Sequence, residues 1–527
     1  MRSSLLITFV LFSSIPVGGA LVAAATVVET FTLSENGCGR ATGYAETNKI
    51  VTVGDKTHVT WLDSEGSHFI ARIRTLDHAT GTWSETVTLG GAYDNHGGPA
   101  LTVDGEGYLH VVFYPHHHAF RYRRSVRPND ATEWTDSVSF GSKCTYPTMV
   151  VGPDNTLYVT ARTSDAAKWG VKLYEKEPEG TWTESTTLLR SSYNNYSHFQ
   201  ESLCWGPDHQ TLHLMARFYA SGSSHAIGYM KSTDFGKTWT KSDGSPIALP
   251  GTEDTLDIVE SVPPSLWSEY TSGATLRAGC LAVDPEGIPH LLYNTMTDHE
   301  FPRQSWIATP NGDGTWNKTG LNEKCDVLPE GWGLGMPGGI TINEDGRIFV
   351  TATMCSDTNY DDLWGGPASE VVWMESNDGG TTFSSVVVSN VDPNSANWLP
   401  SIERPTGFNE IGVPTLIYTA GEKGSGVGDI LSNGVVWVSV RFPSDLPGDL
   451  DGDGRVGSSD LDIVRANWGK PAHGPFEGDP SGDGVVGSDD LDIVRANWGA
   501  VAAVPEPAFG LVGLALFVVM LSGRSGR

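Results

Sequence analysis

Ser232-Thr233-Asp234-Phe235-Gly236-Lys237-Thr238-Trp239 is the stretch of sequence that indicates the fold class. Asp and Gly form turns, and the Trp that follows them can pack back onto a sheet. The pattern returns nearly complete at residues 376–383, and weaker versions end at Trp83, Trp182 and Trp316. A turn followed by an aromatic residue, repeated along the chain, predicts a series of β-hairpins.

Seven short runs of β-branched and aromatic residues lie in the same part of the chain, between about residues 30 and 442. Most of them follow a turn of Gly, Asp, Pro or Asn, and no long helical periodicity separates them. The runs are residues 56–61, 107–113, 156–162, 211–217, 287–293, 346–352 and 412–418. Repeats spaced roughly 50 to 75 residues apart predict an all-β region folded as a seven-bladed β-propeller over residues 26–443.

The composition excludes several other classes of protein. A chain of 527 residues, 39% of them hydrophobic, can bury a large core, and 62 Gly with only 18% charged residues suit a turn-rich β protein. The net charge of -29 argues against a nucleic-acid binder, which needs a broad basic surface. Six Cys permit a few disulfides but do not describe a disulfide scaffold, and their pairing stays open.

The first 25 residues are predicted to be a secretory signal peptide. Arg2 gives the N-terminal region a positive charge, residues 5–12 are apolar, and Ala23-Ala24-Ala25 offers a small-residue cleavage site. We therefore expect the protein to be secreted or to lie on the outer cell surface of a bacterium.

The other end, residues 501–527, is predicted to be a second sorting segment. Val504-Pro505-Glu506-Pro507 precedes an apolar run at 508–523, and basic residues follow. This order resembles the PEP-CTERM sorting signal, which implies a tail that a membrane protease removes during export. A plain tail anchor is the alternative. On the first interpretation the protein contacts the membrane only transiently.

Two acidic loops, beginning at Asp449 and Asp479, repeat 30 residues apart within residues 444–500. Oxygen side chains at positions 1, 3, 5 and 12, a carbonyl at position 7 and Gly at position 6 fit calcium. The predicted ligands are Asp449, Asp451, Asp453, Arg455 and Asp460 in the first loop, and Asp479, Ser481, Asp483, Val485 and Asp490 in the second. Each loop precedes DLDIVRANW, which has helical spacing and predicts a small α-helical module. The segment resembles a type I dockerin, which implies a cohesin-like protein partner.

Histidine and arginine are concentrated in one part of this acidic chain. Five of the 15 His fall within residues 96–118, and Arg121, Arg123, Arg124 and Arg127 follow directly. A local reversal of charge predicts a site for an anionic ligand, although a run of Arg can also be a solvated strand face.

The same region resembles the BNR-4 group of propellers and, within that group, the ulvan lyases. The resemblance rests on NHGGPAL at 95–101, on HHHAFRYRRS at 116–125, and on Tyr146-Pro147 followed by Ala161-Arg162. The hairpins resemble the Asp-box (BNR) repeats of sialidase-like propellers, which are structural. The resemblance implies a polysaccharide lyase that cleaves a uronate-containing, ulvan-like polysaccharide, sulfated or unsulfated, by β-elimination.

Elimination removes the proton at C5 of the uronate, so the adjacent carboxylate must be neutralised and a base and an acid must act. We expect Arg162 to neutralise the carboxylate with help from His96, and Tyr146 to be the base or a shared base and acid. His116 is the expected assisting acid/base, with His117 and His118 as register alternatives. The expected substrate-binding residues are His117, His118, Arg123, Arg217 and Tyr219.

Other interpretations stay open. The His triplet could bind a structural metal in the propeller, Tyr146 could simply begin a strand, and Arg162 could form an ion pair between blades. A sialidase-like glycosidase needs an Arg triad, and no Arg-Ile-Pro strand follows the signal peptide. A non-catalytic glycan-binding propeller suits the many Trp equally well. No feature of the sequence predicts an organic cofactor.

Overall fold

The computed structural model describes residues 7–8, 26–166, 168–192, 200–220, 223–262, 276–295, 304–356, 368–390, 395–422, 426–442, 446–472 and 474–501. The predicted signal peptide, apart from Ile7–Thr8, and the predicted sorting tail, apart from Val501, lie outside the described residues. Within them the chain is mostly β, as the repeated hairpins predicted. No helix in this described part is long and apolar enough to cross a membrane.

The strands follow one another with short turns between them. The strands of the first half are β1 (Ile7–Thr8), β2 (Val27–Gly37), β3 (Ile50–Val53), β4 (Lys56–Glu65), β5 (His68–Asp77), β6 (Thr82–Trp83), β7 (Val87–Ala92), β8 (Ala100–Val103), β9 (Leu109–Phe113), β10 (His118–Arg127), β11 (Asp130–Trp134), β12 (Val138–Val151), β13 (Leu157–Thr163), β14 (Gly170–Lys176), β15 (Thr183–Arg190), β16 (Ser202–Trp205) and β17 (Leu212–Ala220).

The strands of the second half are β18 (Ser223–Ser232), β19 (Trp239–Thr240), β20 (Pro246–Ile247), β21 (Asp257–Ser261), β22 (Leu276–Val283), β23 (Pro289–Thr295), β24 (Gln304–Pro310), β25 (Trp316–Gly320), β26 (Trp332–Ile342), β27 (Ile348–Ser356), β28 (Glu370–Ser376), β29 (Ser384–Val387), β30 (Ala396–Ile402), β31 (Leu416–Gly421) and β32 (Asn433–Arg441). Short 3-10 helices occupy Asn322–Lys324 and Pro475–Glu477. Two α-helices follow the strands, α1 (Ser458–Asn467) and α2 (Ser488–Ala496).

Antiparallel pairing of consecutive strands organises them into five sheets among the described residues. β8 to β15 form one sheet because β12 pairs with β10 through its first half and with β13 through its second half. β16 to β21, β22 to β25 and β26 to β29 form three more sheets. The remaining sheet combines β30, β31 and β32 with β1 to β7.

That last sheet joins the two ends of the β region. β2 pairs antiparallel with β32, from Val27 opposite Arg441 to Gly37 opposite Asn433. β2 also meets β4 where Gly37 lies opposite Asp63. Backbone hydrogen bonds between the first long strand and the last one therefore hold the start and the end of this region together.

The complete hairpin motif and its nearly complete copy form the same turn. Ser232 Oγ donates to Asp234 Oδ1 (2.8 Å), and Asp234 accepts from Thr238 N (2.8 Å) and Thr238 Oγ1 (2.7 Å). The equivalent bonds of the second copy, from Ser376 to Asp378 and from Thr382 to Asp378, measure 2.8, 2.9 and 2.7 Å. Gly236 has φ +84°, which favours glycine. The predicted Asp-box hairpins are confirmed, and their role is structural.

A buried layer of polar residues links strands from different sheets. Arg404 donates to Ser202 Oγ (2.6 Å) and to the carbonyl of Glu46, and Thr148 Oγ1 donates to the same carbonyl (2.8 Å). Burial raises the pKa of Glu46 to about 7 and raises the pKa of Glu201 well above its ordinary value. The protonation states of these buried residues depend on one another, because each charge must be stabilised by its neighbours in the layer.

All six cysteines are free thiols, and five of them are buried. Burial raises the pKa of Cys38 and of Cys204 to about 12, so both are protonated at neutral pH. They pack as small apolar residues within the core.

The C-terminal segment packs as two related halves. Val464 of α1 and Val494 of α2 are fully buried in one small cluster with Leu450, Val456 and Val486. The segment contacts the β region at its first acidic loop, where Arg347 donates to the Gly452 carbonyl (2.8 Å) and Arg455 pairs with Asp345.

Candidate active site

One carboxylate holds two imidazoles together. Asp94, in the loop after β7, lies 3.0 Å from Nδ1 of His96 through Oδ1 and 2.6 Å from Nδ1 of His116 through Oδ2. The backbone N–H of His96 also donates to Asp94 (2.8 Å). The two rings stack with centroids 3.9 Å apart. Asp94 therefore fixes the orientation of two side chains that come from different loops.

Burial and hydrogen bonding set the charges of this group. Burial alone would raise the pKa of Asp94, but the hydrogen bonds from His116 and His96 outweigh it and hold the pKa well below its ordinary value. Burial lowers the pKa of His96 to about 3. His96 is therefore neutral at pH 7, with its proton on Nδ1 toward Asp94 and a lone pair on Nε2.

Tyr146 lies at an irregularity of β12. Thr145 pairs with Arg162 and Pro147 pairs with Ala161, so Tyr146 is the extra residue of a β-bulge. Its φ of 59° is in the left-handed region, which costs a non-glycine residue about 1–3 kcal/mol. The bulge turns the buried Tyr146 ring to within 6.1 Å of the His96 ring.

Arg162 lies against the face of the Tyr146 ring. Its guanidinium carbon is 4.5 Å from the centre of that ring and 5.0 Å from the centre of the Trp169 ring. The Arg162 side chain is 0% exposed. Beneath it, Glu201 interacts electrostatically with Arg162, which connects the site to the buried polar layer. Cation–π contacts of this kind place positive charge beside the phenol.

His117 and His118 border the same site. His117 Nδ1 lies 2.6 Å from Ser164 Oγ, and its ring is 4.5 Å from that of His116. Burial lowers the pKa of His117 to about 4, and the charge of Arg162 adds to the effect. His118 is exposed, and its Nδ1 hydrogen-bonds the His116 carbonyl (2.7 Å). The His triplet therefore presents three side chains in three different environments.

The structure brings together six of the predicted residues: His96, His116, His117, His118, Tyr146 and Arg162. Arg123 instead donates to the Leu89 carbonyl (2.7 Å). Arg217 is 1% exposed, donates to the Leu276 carbonyl (3.1 Å) and belongs to the buried polar layer through Glu46. The side chain of Tyr219 lies outside the described side chains.

Sequence reasoning missed four members of the site: Arg40, Tyr44, Asp94 and Trp169. Asp94 stands two residues before His96, so its role as a partner could have been read from the sequence. Arg40 and Tyr44 carry no such signal, because they come from the loop between β2 and β3. That loop approaches closely at Gly98, where an added Cβ would lie 3.1 Å from the Gly43 carbonyl oxygen. The second Gly of NHGG thus permits this contact.

Arg40 connects the tyrosines to the histidines. Its Nη1 donates to the Tyr44 hydroxyl (2.5 Å) and lies 2.5 Å from Nε2 of His96. Tyr44 and Tyr146 share a side-chain hydrogen bond, and their rings meet edge to face at 4.8 Å. Burial raises the pKa of Tyr44 well above its ordinary value. Arg40 and His116 are only partly buried, as is His117.

The site also contains a group of potential metal ligands. One ligand atom each from Asp94, His96 and His116 lies within 4.8 Å of the others. Two imidazoles and a carboxylate are a donor set that suits zinc. Both carboxylate oxygens of Asp94 are already within hydrogen-bond distance of the two imidazoles.

Each of the two acidic loops brings three carboxylates close together. Carboxylate oxygens of Asp449, Asp451 and Asp453 lie within 4.8 Å of one another, as do those of Asp479, Asp483 and Asp490. Asp460 Oδ2 accepts from Gly457 N (2.7 Å). Asp490 Oδ2 makes the same bond with Gly487 N (2.7 Å). These donors suit a hard cation such as calcium.

Comparison with known proteins gives a family and several relatives. The profile of the family described as "BNR repeat-containing family member" matches residues 56–324. The chain is 22% identical to an ulvan lyase of Alteromonas sp. (strain LOR) over 46% of this chain and 57% of that protein. It is 21% identical to Ulvan Lyase-PL25 of Pseudoalteromonas sp. (strain PLSV), with the same coverage. The chain thus spans little more than half the length of these two relatives.

Solved structures resemble the fold. A PL25 ulvan lyase bound to -[GlcA(1-4)Rha3S]- matches with a TM-score of 0.57 at 16% identity, covering 79% of this chain and 95% of that one. The polysaccharide lyase Uly1 matches with a TM-score of 0.52 at 14% identity, covering 79% and 99%. Similarity at this level shows a shared fold.

Proposed function

Because the chain belongs to the BNR_4 family of BNR repeat-containing proteins, we propose that it is a polysaccharide lyase acting on an anionic, uronate-containing polysaccharide. One observation carries this proposal. Two tyrosines, two histidines and two guanidinium groups meet in one cluster, which has the groups that β-elimination requires. The ulvan lyase relatives favour an ulvan-like substrate.

In this proposal Tyr146 takes the C5 proton as base, or serves as both base and acid. His116, oriented by Asp94, assists at the leaving oxygen. Arg162, against the Tyr146 ring, stabilises the negative charge that develops during proton transfer.

For the fold we propose a seven-bladed β-propeller, and the strand pairing supports this number of blades. The sheet of β8 to β15 divides into two blades where β12 passes from β10 to β13. The sheet that joins the chain ends divides into one blade of β3 to β7 and another in which β2 completes β30 to β32. The other three sheets supply one blade each.

The decisive assay is the appearance of an unsaturated uronate, followed by its ultraviolet absorbance, on ulvan and related uronate polysaccharides. A lyase gives this product, a sialidase-like glycosidase gives reducing ends without it, and a glycan-binding propeller retains the polysaccharide without cleaving it. Absence of the unsaturated product on every uronate polysaccharide would refute the lyase proposal. Metal analysis of the same sample tests the alternative zinc-type site at Asp94, His96 and His116.

For residues 444–500 we propose a dockerin-like module that binds two calcium ions and a cohesin-like partner. Burial raises the pKa of Asp453 to about 7, and the nearby carboxylates add to the effect, which a bound cation would relieve. The two halves also expose equivalent tryptophans, Trp468 (50%) and Trp498 (53%), as an apolar surface for a partner.

Calcium removal should destabilise this module. We expect calorimetry on the whole protein to show two calcium ions bound, and Asp449→Ala and Asp479→Ala to remove one ion each, because position 1 supplies a ligand in each loop. Asp462→Ala, on the exposed face of α1, is the control that keeps both ions. Unchanged binding in the first two variants would contradict the assignment.

We further propose that the chain is exported, with residues 1–25 as signal peptide and 501–527 as sorting tail, so that the propeller and the module act outside the cell. Mass spectrometry of protein from the culture medium would identify both cleaved ends.

A further inference from the structure

The two acidic loops share most of their residues but have different surroundings. In the first loop Gly452 is buried, and a Cβ added there would lie 3.0 Å from the carbonyl oxygen of Phe442, which follows β32. In the second loop the equivalent Gly482 is exposed, and an added Cβ would meet no other described atom within 4 Å. The first loop is therefore covered where the second is open.

Two arginines connect the first loop to the β region. Arg347, in the turn between β26 and β27, donates through Nη1 to the Gly452 carbonyl (2.8 Å). Nε of Arg455 lies 3.0 and 3.1 Å from the two carboxylate oxygens of Asp345 in the same turn. Val485 stands at the position of Arg455 in the second loop, so that loop cannot form the equivalent ion pair.

The β region itself holds Arg347 in place. Arg347 Nε donates to Asn377 (3.0 Å), and Nη2 donates to Glu375 (3.0 Å). Arg347 is 7% exposed, whereas Ile288, which likewise follows the glycine of a turn between two strands, is 39% exposed. Arg347 is thus a fixed donor on a surface that the first loop covers.

The residues that contact the β region are held by the predicted calcium ligands. Asp449 accepts from the backbone N–H of Gly452 (2.8 Å), and Asp453 accepts from the backbone N–H of Arg455 (2.7 Å). A cation bound by these carboxylates would restrain the same stretch of backbone. Cation binding and contact with the β region then favour each other, because such coupling is reciprocal.

From these contacts we propose that the first acidic loop docks the C-terminal module onto the turn at residues 343–347 only when calcium is bound, and that removal of calcium releases the module. The inference rests on the proposed calcium-binding module. Asp460 and Val464 are buried in α1, and the equivalent Asp490 and Val494 are buried in α2. Because the two helices are covered alike, docking leaves the surface proposed for a partner open.

Amide hydrogen exchange of the whole protein tests this docking on peptides that do not themselves bind calcium. The turn at 343–347 should exchange at least about fivefold faster after chelation, because the module no longer covers it. The turn at 284–288, between β22 and β23, is the internal control and should exchange alike in both conditions. This comparison needs no variant, so it does not depend on whether a variant folds.

Two variants assign the effect to one loop. In the presence of calcium, Asp449→Ala should raise exchange at 343–347 as chelation does, because it removes the ion from the first loop. Asp479→Ala, the equivalent change in the second loop, should leave the turn protected. Equal exchange at 343–347 in the two variants would overturn the assignment to the first loop.

Calcium affinity, measured by calorimetry, gives the reciprocal test. In the Asp479→Ala background only the first loop binds calcium, and Asp345→Asn should weaken that binding about two- to fivefold, as expected for one partly exposed ion pair. Glu344→Gln is the matched control, since it removes the same charge from the exposed neighbouring residue. In the Asp449→Ala background only the second loop binds calcium, and Asp345→Asn should have no effect.

The outcomes separate this inference from the proposed module. If the protein binds no calcium, the calcium-binding module and the docking proposal both fail. If calcium binds but chelation leaves exchange at 343–347 unchanged, the docking proposal alone fails. Equal weakening by Asp345→Asn and Glu344→Gln would also overturn it, because the loss of one nearby charge would then explain the change in affinity.

Discussion

Tyr146→Phe should lower kcat for formation of the unsaturated uronate by about 10²–10⁴-fold, the range that a single acid–base group contributes. The substitution removes only the hydroxyl, so the ring keeps its contact with the Arg162 guanidinium and its edge-to-face contact with Tyr44. Because these packing contacts persist, we expect the variant to fold and to keep its affinity for an oligosaccharide. Loss of the hydrogen bond with Tyr44 should lower the free energy of unfolding by about 1–3 kcal/mol. Stopped assays on ulvan at several substrate concentrations separate kcat from KM.

The control is Tyr158→Phe, which removes another buried hydroxyl from the neighbouring strand β13, where Tyr158 packs edge to face on Trp205. It should retain full turnover. A Tyr146→Phe enzyme with undiminished kcat would show that another group takes the C5 proton, and His116 would be the next residue to test.

Asp94→Asn should have the second largest effect, a loss of about 10²–10⁴-fold in kcat/KM. The carboxylate accepts from Nδ1 of both His96 and His116, and an amide has only one oxygen with which to replace it. One imidazole must then change its tautomer or turn away. A wrong tautomer at an Asp–His pair costs about 10⁴-fold in serine proteases, where the carboxylate has the same orienting role.

Asp104→Asn is the matched control. Asp104 holds the buried His110 at 3.0 Å in a turn of the β region, which is the same chemistry outside the site. That variant should lose stability without losing kcat in the folded enzyme. The pH–rate profile of Asp94→Asn tests whether Asp94 orients the two imidazoles. If Asp94 had only a structural role, the profile would keep the shape that it has in the wild-type protein. Equal activity losses in the two variants, accompanied by equal losses of stability, would contradict the orienting role of Asp94.

Local sequence signals predicted the hairpins well. The residues that make the Asp-box turn lie within eight positions of one another, as at Ser232 to Trp239, so their hydrogen bonds are determined by the sequence itself. The predicted His96, His116, Tyr146 and Arg162 do lie in one cluster. Their catalytic roles remain a prediction.

The rest of the site depends on contacts that no local pattern reports. Arg40 and His96 are separated by 56 positions and meet because one loop reaches another across a glycine. Arg217 and Arg162 both end a β-rich run with the same Ala-Arg pair, yet Arg217 bonds a backbone carbonyl, whereas Arg162 packs on the aromatic rings of the site. The strand pattern places both arginines at equivalent positions. The residues packed around each arginine determine which groups its guanidinium contacts.

The pairing of β2 with β32 has a consequence for the biogenesis of the molecule. Strand β2, made near the start of synthesis, lacks its main pairing partner until Asn433–Arg441 has emerged from the ribosome. Contacts between such distant segments form slowly, and an unpaired strand edge can meanwhile associate with other chains. We therefore expect the chain to depend on chaperones mainly before β32 has been synthesised. We also expect chains truncated before residue 433 to aggregate instead of accumulating as partly folded propellers.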